Sequence, residues 1–207
     1  SIKIIKDIYT KQLNDNNYNV LERIKENIMD KKSRYLLVIS KSSASIFLLS
    51  SILSEINKNY NLYVGSQFYR DHHNEDYSLK ILNKIQLHME EGKVLILKNL
   101  ESVYPALYDL FNQNFTKAGE KNFARIAIGS STNTFSLVND DFRCIVSVNY
   151  EQIDQEEAPF LNRFEKHIVS LKFLLTQDLI DESINIYNKL KEMIVLDKEK
   201  FKGINYD

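Results

Sequence analysis

VLILKNLESVYPALYDLFNQNF, residues Val94–Phe115, decides how the rest of the chain is read. Four consecutive apolar residues, Val94, Leu95, Ile96 and Leu97, open it, with Gly92-Lys93 before and Lys98-Asn99 after. Such a run predicts a strand buried on both faces. Leu107, Leu110, Phe111, Asn114 and Phe115 then fall on one face of a helical turn, which predicts a helix. A strand buried on both faces needs a layer of helices on each side, so the stretch points to an α/β sandwich.

An apolar strand, a polar turn and a helix are also the layout of a Walker B segment. In a working nucleoside triphosphatase that strand ends in an acidic pair. The first acid organises Mg²⁺ and the second polarises the attacking water. Here the two positions are Lys98 and Asn99. A cation does not bind a cation, and an amide is a poor general base. The stretch fits the frame of an ATPase with its chemistry removed, and it fits equally an ordinary strand and helix with no nucleotide history.

The totals narrow the classes. The 207 residues suit one domain, or a domain with part of another. A hydrophobic content of 43% is enough for a sizeable core and lies outside the disordered regime. A net charge of −1 argues against nucleic acid or an anionic membrane as the main partner. No apolar run approaches the roughly 20 residues that span a bilayer, and the start carries no signal-peptide pattern. Cys144 is the single cysteine, which excludes an intrachain disulfide or a cysteine-built zinc site and suits a reducing compartment. The chain starts at Ser1 and stops inside a charged tail, and reads as a piece of something longer.

Taken in order, residues 1–33 are helical in pattern, with Ile4, Ile5 and Ile8 on one face and Leu21, Ile24 and Ile28 on another, separated by Asn14–Asn17. Tyr35–Ile39 predicts a second buried strand, followed by a KSSA turn and a helix over about 45–57 carrying Phe47, Leu48, Ile52 and Ile56. A phosphate-binding loop would stand here. That motif demands Gly, four residues, Gly, Lys, then Ser or Thr. The aligned positions are Ser40, Ser45, Ile46 and Phe47, so every demanded residue is missing. Without glycines the backbone cannot approach phosphate closely, and without lysine the charge is not met. The expectation is a filled, apolar loop.

Asn61–Gly65 predicts a short third strand. His72 and His73 sit in the polar loop after it, where adjacent histidines with no third ligand read as solvated rather than metal-binding. Tyr77–Glu91 is an amphipathic helix with Ile81, Ile85 and Met89 on its core face and Gly92 as its cap. Phe123–Ile128 and Thr134–Val138 alternate as a hairpin around Gly129-Ser130-Ser131. Phe142–Val148 is another buried strand, with Asn149 at its end. Glu151–Glu157 reads as a solvated acidic loop. Pro159 opens a short helix containing Asn162 and Arg163, His167–Phe173 is a last strand, and Thr176 caps a long helix with Ile180, Ile184, Tyr187, Leu190 and Ile194 in register. Alternation of this kind implies a parallel sheet between helices. Ser40, Lys98 and Asn149 would then meet at its carboxyl edge, where such sheets bind ligands.

These positions resemble one family. In AAA+ proteins a P-loop strand, a Walker B strand and a sensor strand ending in Asn come in this order, followed by a helix ending in Asn-Arg-Phe. The counterparts are Ser40–Phe47, Lys98-Asn99, Asn149 and Asn162-Arg163-Phe164. The hairpin resembles the insert of the helix-2-insert group, which includes midasin and the dynein motor. RYLLVISK, GSQF, MEEGKVLILKNLESVYPALYDLFNQNF, FRCIVSVN and LNRFEKH together resemble an AAA+ module of the mysterin family of giant ring-finger ubiquitin ligases, from about Arg34 to His167.

The resemblance implies a P-loop-NTPase-like (AAA+) large subdomain over 34–173, a leading helical segment over 1–33 and a truncated helical lid with a charged tail over 174–207. It implies a catalytically inactive module in an ATPase ring, with no catalytic residue, metal or cofactor of its own. ATP and Mg would belong to neighbouring AAA+ modules of the same polypeptide, and ubiquitin machinery would be reached through the parent chain, in the cytoplasm. Lys98 and Asn99 become a Walker B remnant, Asn149 a sensor-like residue and Arg163 a candidate trans-acting arginine with a free guanidinium. Other readings are a module of a midasin- or dynein-like protein, a nucleotide sensor binding ATP unconventionally, or a free-standing interaction domain.

Overall fold

In a computed structural model the described residues are 10, 19–41, 44–66, 68–72, 74–128, 132–153, 156–169 and 177–200. The expected helix around Ile4, Ile5 and Ile8, the Asn14–Asn17 break, His73, the turn Gly129-Ser130-Ser131 and the cap Thr176 lie outside them.

Five strands form one parallel sheet: β1 (Leu36–Ser40), β2 (Tyr60–Val64), β3 (Val94–Lys98), β7 (Arg143–Asn149) and β8 (Glu165–Val169), in the order β2-β3-β7-β1-β8. Leu36 pairs with Ile145 and with Glu165, and Leu95 with Cys144, which centres the apolar runs on one another. All of β1 and all of β3 up to Leu97 are buried, as strands covered on both faces must be. Edge strand β2 instead alternates, with Tyr60, Leu62 and Val64 exposed.

Helix α1 (Val20–Met29) lies against β1 and β8, and α2 (Ala44–Glu55) against β1. Asn19 starts α1 by accepting from the amides of Leu21 and Glu22. After a single turn, α3 (Tyr69–His72), the long α4 (Glu75–Glu91) packs Leu82, Ile85 and Met89 inward. Gly92, at φ 71°, closes α4 in the left-handed conformation that favours glycine. Leu37, Ile39, Leu95, Leu97, Cys144 and Val146 share one core cluster with Ile85 and Met89.

Three details differ from the sequence reading. The helix expected after β3 is a 3₁₀ turn, Tyr104–Leu107, running into the one-turn α5 (Tyr108–Phe111), because Pro105 sits at its start and Gln113 adopts a positive φ of 54° that ends it. Leu107, Leu110 and Phe111 are buried as expected, but Asn114 and Phe115 lie beyond the helix. On α4 Leu82 is buried alongside Ile85 and Met89, whereas Ile81 is half-buried. The hairpin is a three-stranded antiparallel sheet, β4 (Thr116–Ala118), β5 (Lys121–Ile128) and β6 (Thr132–Val138), lying between α5 and β7 in the chain. Ala124, Ile126, Ser136 and Val138 are its buried positions. The Gln86 amide on α4 holds β6 through the hydroxyls of Thr134, at 2.9 Å, and Ser136, at 2.7 Å.

At the amino-terminal edge of the sheet, Arg143 is 3% exposed. Its guanidinium donates to the carbonyls of Ser33 and Arg34 at 2.8 and 3.0 Å and to Asn27 Oδ1 at 2.8 Å, and it lies over the ring of Tyr35. Asn27 in turn donates to Glu165 Oε2 at 2.7 Å.

The chain divides into two compact units after Val169. The second holds α7 (Gln177–Lys200), on which Leu179, Ile184, Ile186, Tyr187, Leu190 and Met193 are exposed. The boundary expected at 173/174 falls outside the described residues. Among the described residues no helix is long and apolar enough to cross a membrane.

Leu97 is fully buried in the second strand from the edge, between β2 and β7. Leu97→Ala is expected to cost about 2–5 kcal/mol in urea unfolding, the range for emptying such a site. A loss below about 1 kcal/mol would refute this packing.

Candidate functional site

The sheet register sets the site. Ser40 ends β1 opposite Asn149 at the end of β7, and Lys98 at the end of β3 stands opposite Ser147. The three expected strand ends therefore do converge on one carboxyl edge. The amide of Tyr150 donates to the Ser40 carbonyl at 2.9 Å, extending the ladder past the last paired residues.

Hydroxyls cluster where β1 ends and α2 begins. Ser40 Oγ donates to Ser45 Oγ at 2.8 Å, and Ser45 Oγ lies 3.5 Å from Ser147 Oγ. All three serines are buried, so their hydroxyls satisfy one another where water is scarce. The expectation of an apolar plug is corrected here. Ile46 is half-buried and Phe47 is 77% exposed, because Ser45, Leu49, Ile52 and Leu53 form the inward face of α2. Asn149 Oδ1 accepts the amide of Glu151 at 3.1 Å, so the sensor-like carboxamide shapes the loop after β7.

At the end of β3, Lys98 is half-buried and its carbonyl accepts the Gly65 amide at 2.8 Å. Asn99 adopts a φ of 54°, a left-handed conformation that asparagine tolerates better than most residues. Its carbonyl comes so near Gly65 that a Cβ there would lie 1.6 Å from the oxygen. The residue type at 99 thus serves the turn, and glycine at 65 serves the close approach. Sequence reading passed over Gly65 as the tail of a strand. It also passed over Ser147, whose signal was a lone polar residue inside the buried run of β7.

Arg163 does not carry the free guanidinium expected of it. Its Nη1 donates to the Pro159 carbonyl at 2.7 Å, and its guanidinium carbon sits 4.1 Å from the Tyr108 ring centroid. Nε is buried without a hydrogen-bond partner among the described residues. The arginine thereby ties α6 (Ala158–Leu161) to α5. Tyr104 stacks on Phe160, and Phe111 and Phe164 meet these rings edge-on or tilted, with centroids 5.0–6.0 Å apart.

Beside Asn99 the carboxyl edge opens into a cavity of about 600 Å³. Tyr104, Pro105, Tyr108, Glu101, Glu156 and Glu157 line it. The acidic loop expected to be solvated thus lends residues to a cavity wall. Burial, and then the neighbouring Glu101 and Glu157 charges, hold the Glu156 carboxyl above the usual carboxylate range.

Residues 25–175 match the family described as the RNF213 AAA domain. A Dictyostelium discoideum protein whose name calls it an uncharacterised transmembrane protein is 31% identical over 82% of this chain. The human E3 ubiquitin-protein ligase RNF213 is 29% identical over 70% of it. In both cases the chain spans about 3% of the relative's own length. A mutant of RuvB from Thermotoga maritima superposes with a TM-score of 0.45 at 16% identity, covering 73% of this chain and 42% of that one.

Two substitutions test this geometry. Gly65→Ala forces a Cβ into the Asn99 carbonyl and is expected to destabilise by about 1–3 kcal/mol or more in thermal melts. Unchanged melting would mean that the two backbones are not in contact. Arg163→Ala is expected to cost about 1 kcal/mol, the worth of its ring contact and its hydrogen bond together. A melt identical to wild type would restore Arg163 as a free surface group.

Proposed function

The chain belongs to the RNF213 AAA-domain family, and on that premise we propose that it is a non-hydrolysing AAA+ module of a long RNF213-like polypeptide. In this reading it is a structural and coupling unit that spaces neighbouring AAA+ modules of the same polypeptide. Nucleotide and Mg²⁺ turn over in those neighbours, and any ubiquitin transfer takes place elsewhere in the parent, in the cytoplasm.

The observation that carries the proposal is the donor set at the carboxyl edge. A magnesium ion with its nucleotide needs anionic oxygens at the end of β3 and amide donors with a lysine after β1. The end of β3 offers the Lys98 ammonium and the Asn99 carboxamide. The start of α2 offers Ser45 already bonded to Ser40, with no lysine after it. These groups do not fit a bound magnesium–nucleotide. A hydrolysis-silent module can still transmit a neighbour's movement through packed elements, and α4, α5 and α6 share one core cluster with the sheet.

Calorimetric titration with Mg-ATP tests the reading. The expected result is no saturable heat up to about 1 mM nucleotide, the weak end of specific affinity, and no release of phosphate. A dissociation constant in the low micromolar range with phosphate accumulating over time would refute it.

A further inference from the structure

On α7 six large apolar side chains stand in solvent, from Leu179 at 49% exposed to Tyr187 at 64%. Single exposed apolar residues need no explanation, but six on one helix do. Their arrangement is regular. Leu179, Ser183, Ile186, Leu190 and Met193 follow one another at spacings of 4, 3, 4 and 3 residues. That repeat keeps them on one line for about four turns and is the one with which two helices interlock. Ser183 is the polar member, and its hydroxyl donates to the Ile180 carbonyl at 2.8 Å on its own helix.

The line is symmetric about its own middle. Leu179 and Met193 each lie seven residues from Ile186, and Ser183 and Leu190 exchange about a point half a residue further on. A twofold axis across α7 near Ile186 therefore lays the seam of one chain on that of another, antiparallel. The charges select that direction. Glu182 and Lys189 also lie seven residues apart, each one position before a seam residue and so on the same flank. An antiparallel pair brings this flank against itself, with Glu182 facing Lys189 and Lys189 facing Glu182. A parallel pair would set Glu182 beside Tyr187 of the second copy and lose both ion pairs. The halves of the helix are matched more broadly. Asp178, Asp181 and Glu182 precede Ile186, while Lys189 and Lys191 follow it, with Glu192 the exception.

We infer that α7 is a self-docking surface on which a second copy of this chain pairs antiparallel along the seam from Leu179 to Met193, with Glu182 and Lys189 closing one flank. The pairing is independent of whether nucleotide binds near Ser40.

Sedimentation equilibrium of the 207-residue chain over about a hundredfold range of concentration tests this. Paired copies are expected to accumulate as concentration rises, and Leu190→Glu to leave monomer throughout. Glu182→Lys and Lys189→Glu are each expected to weaken pairing at least about fivefold at low salt. The double swap Glu182→Lys/Lys189→Glu is expected to restore it, which loss of helix stability alone would not do. Cross-linking of introduced cysteines reads the direction, with the buried Cys144 left in place. Ile186→Cys is expected to cross-link to itself, and Leu179→Cys to Met193→Cys in a mixture of the two. Melting curves check that each variant is folded, and Ile186→Ser replaces Leu190→Glu should that variant not fold. Monomer at every concentration of the wild type, pairing unchanged in a folded seam variant, or no restoration by the double swap would overturn the inference. Leu179→Cys cross-linking to itself would overturn the antiparallel direction and the inference with it.

Discussion

The buried guanidinium of Arg143 is the constraint on which the sheet depends. Its three hydrogen bonds collect the carbonyls of Ser33 and Arg34, just ahead of β1, and the side chain of Asn27 on α1. Asn27 passes the connection to Glu165 at the start of β8, and Gln113, after α5, shares the Ser33 carbonyl at 3.0 Å. Strands β1, β7 and β8 therefore begin from one polar knot. Burial lowers the pKa of Arg143 relative to a free arginine. Such a buried charge is costly when a partner is removed, because the remaining groups stay dry and unpaired. The knot thus fixes register at one edge of the sheet and leaves the opposite, carboxyl edge to vary in chemistry.

The sequence reveals the sheet because its central strands are buried on both faces. Continuous apolar runs at Leu36–Ile39 and Val94–Leu97, and the shorter Cys144–Val146 in β7, carry that signal. Cap chemistry likewise locates the end of α4 at Gly92. What stays hidden depends on contacts distant in the chain. The inward face of α2 is chosen by which sheet residues it meets, so Phe47 reads as core and stands in solvent. Arg163 reads as free because nothing local announces that Tyr108, 55 positions earlier, will lie beneath it. Arg143 reads as an ordinary polar residue at a strand start, since its partners come from α1 and β1.

At the candidate site the same division holds. The missing glycines, lysine and acids are visible as residue types. The chain of hydroxyls from Ser40 through Ser45 to Ser147 is not, because Ser147 arrives from β7, over 100 residues after Ser45. The cavity is hidden for the same reason. Its acids come from the loops after β3 and β7, which the sheet order alone makes neighbours. Its lining is therefore a property of the topology rather than of any local motif.

The close approach of Gly65 and Asn99 has a consequence for how such a chain can change over time. The two positions are 34 apart in sequence yet share one tight backbone crossing. A side chain at 65 is tolerable only if the turn at 99 has first moved away. A turn at 99 rebuilt to place a carboxylate at the strand end must keep clear of the chain at 65. Drift at either position is conditional on the other, so the order in which mutations arise matters. An acid introduced at the end of β3 would need concerted steps with disfavoured intermediates. That ratchet would tend to hold both positions as they are.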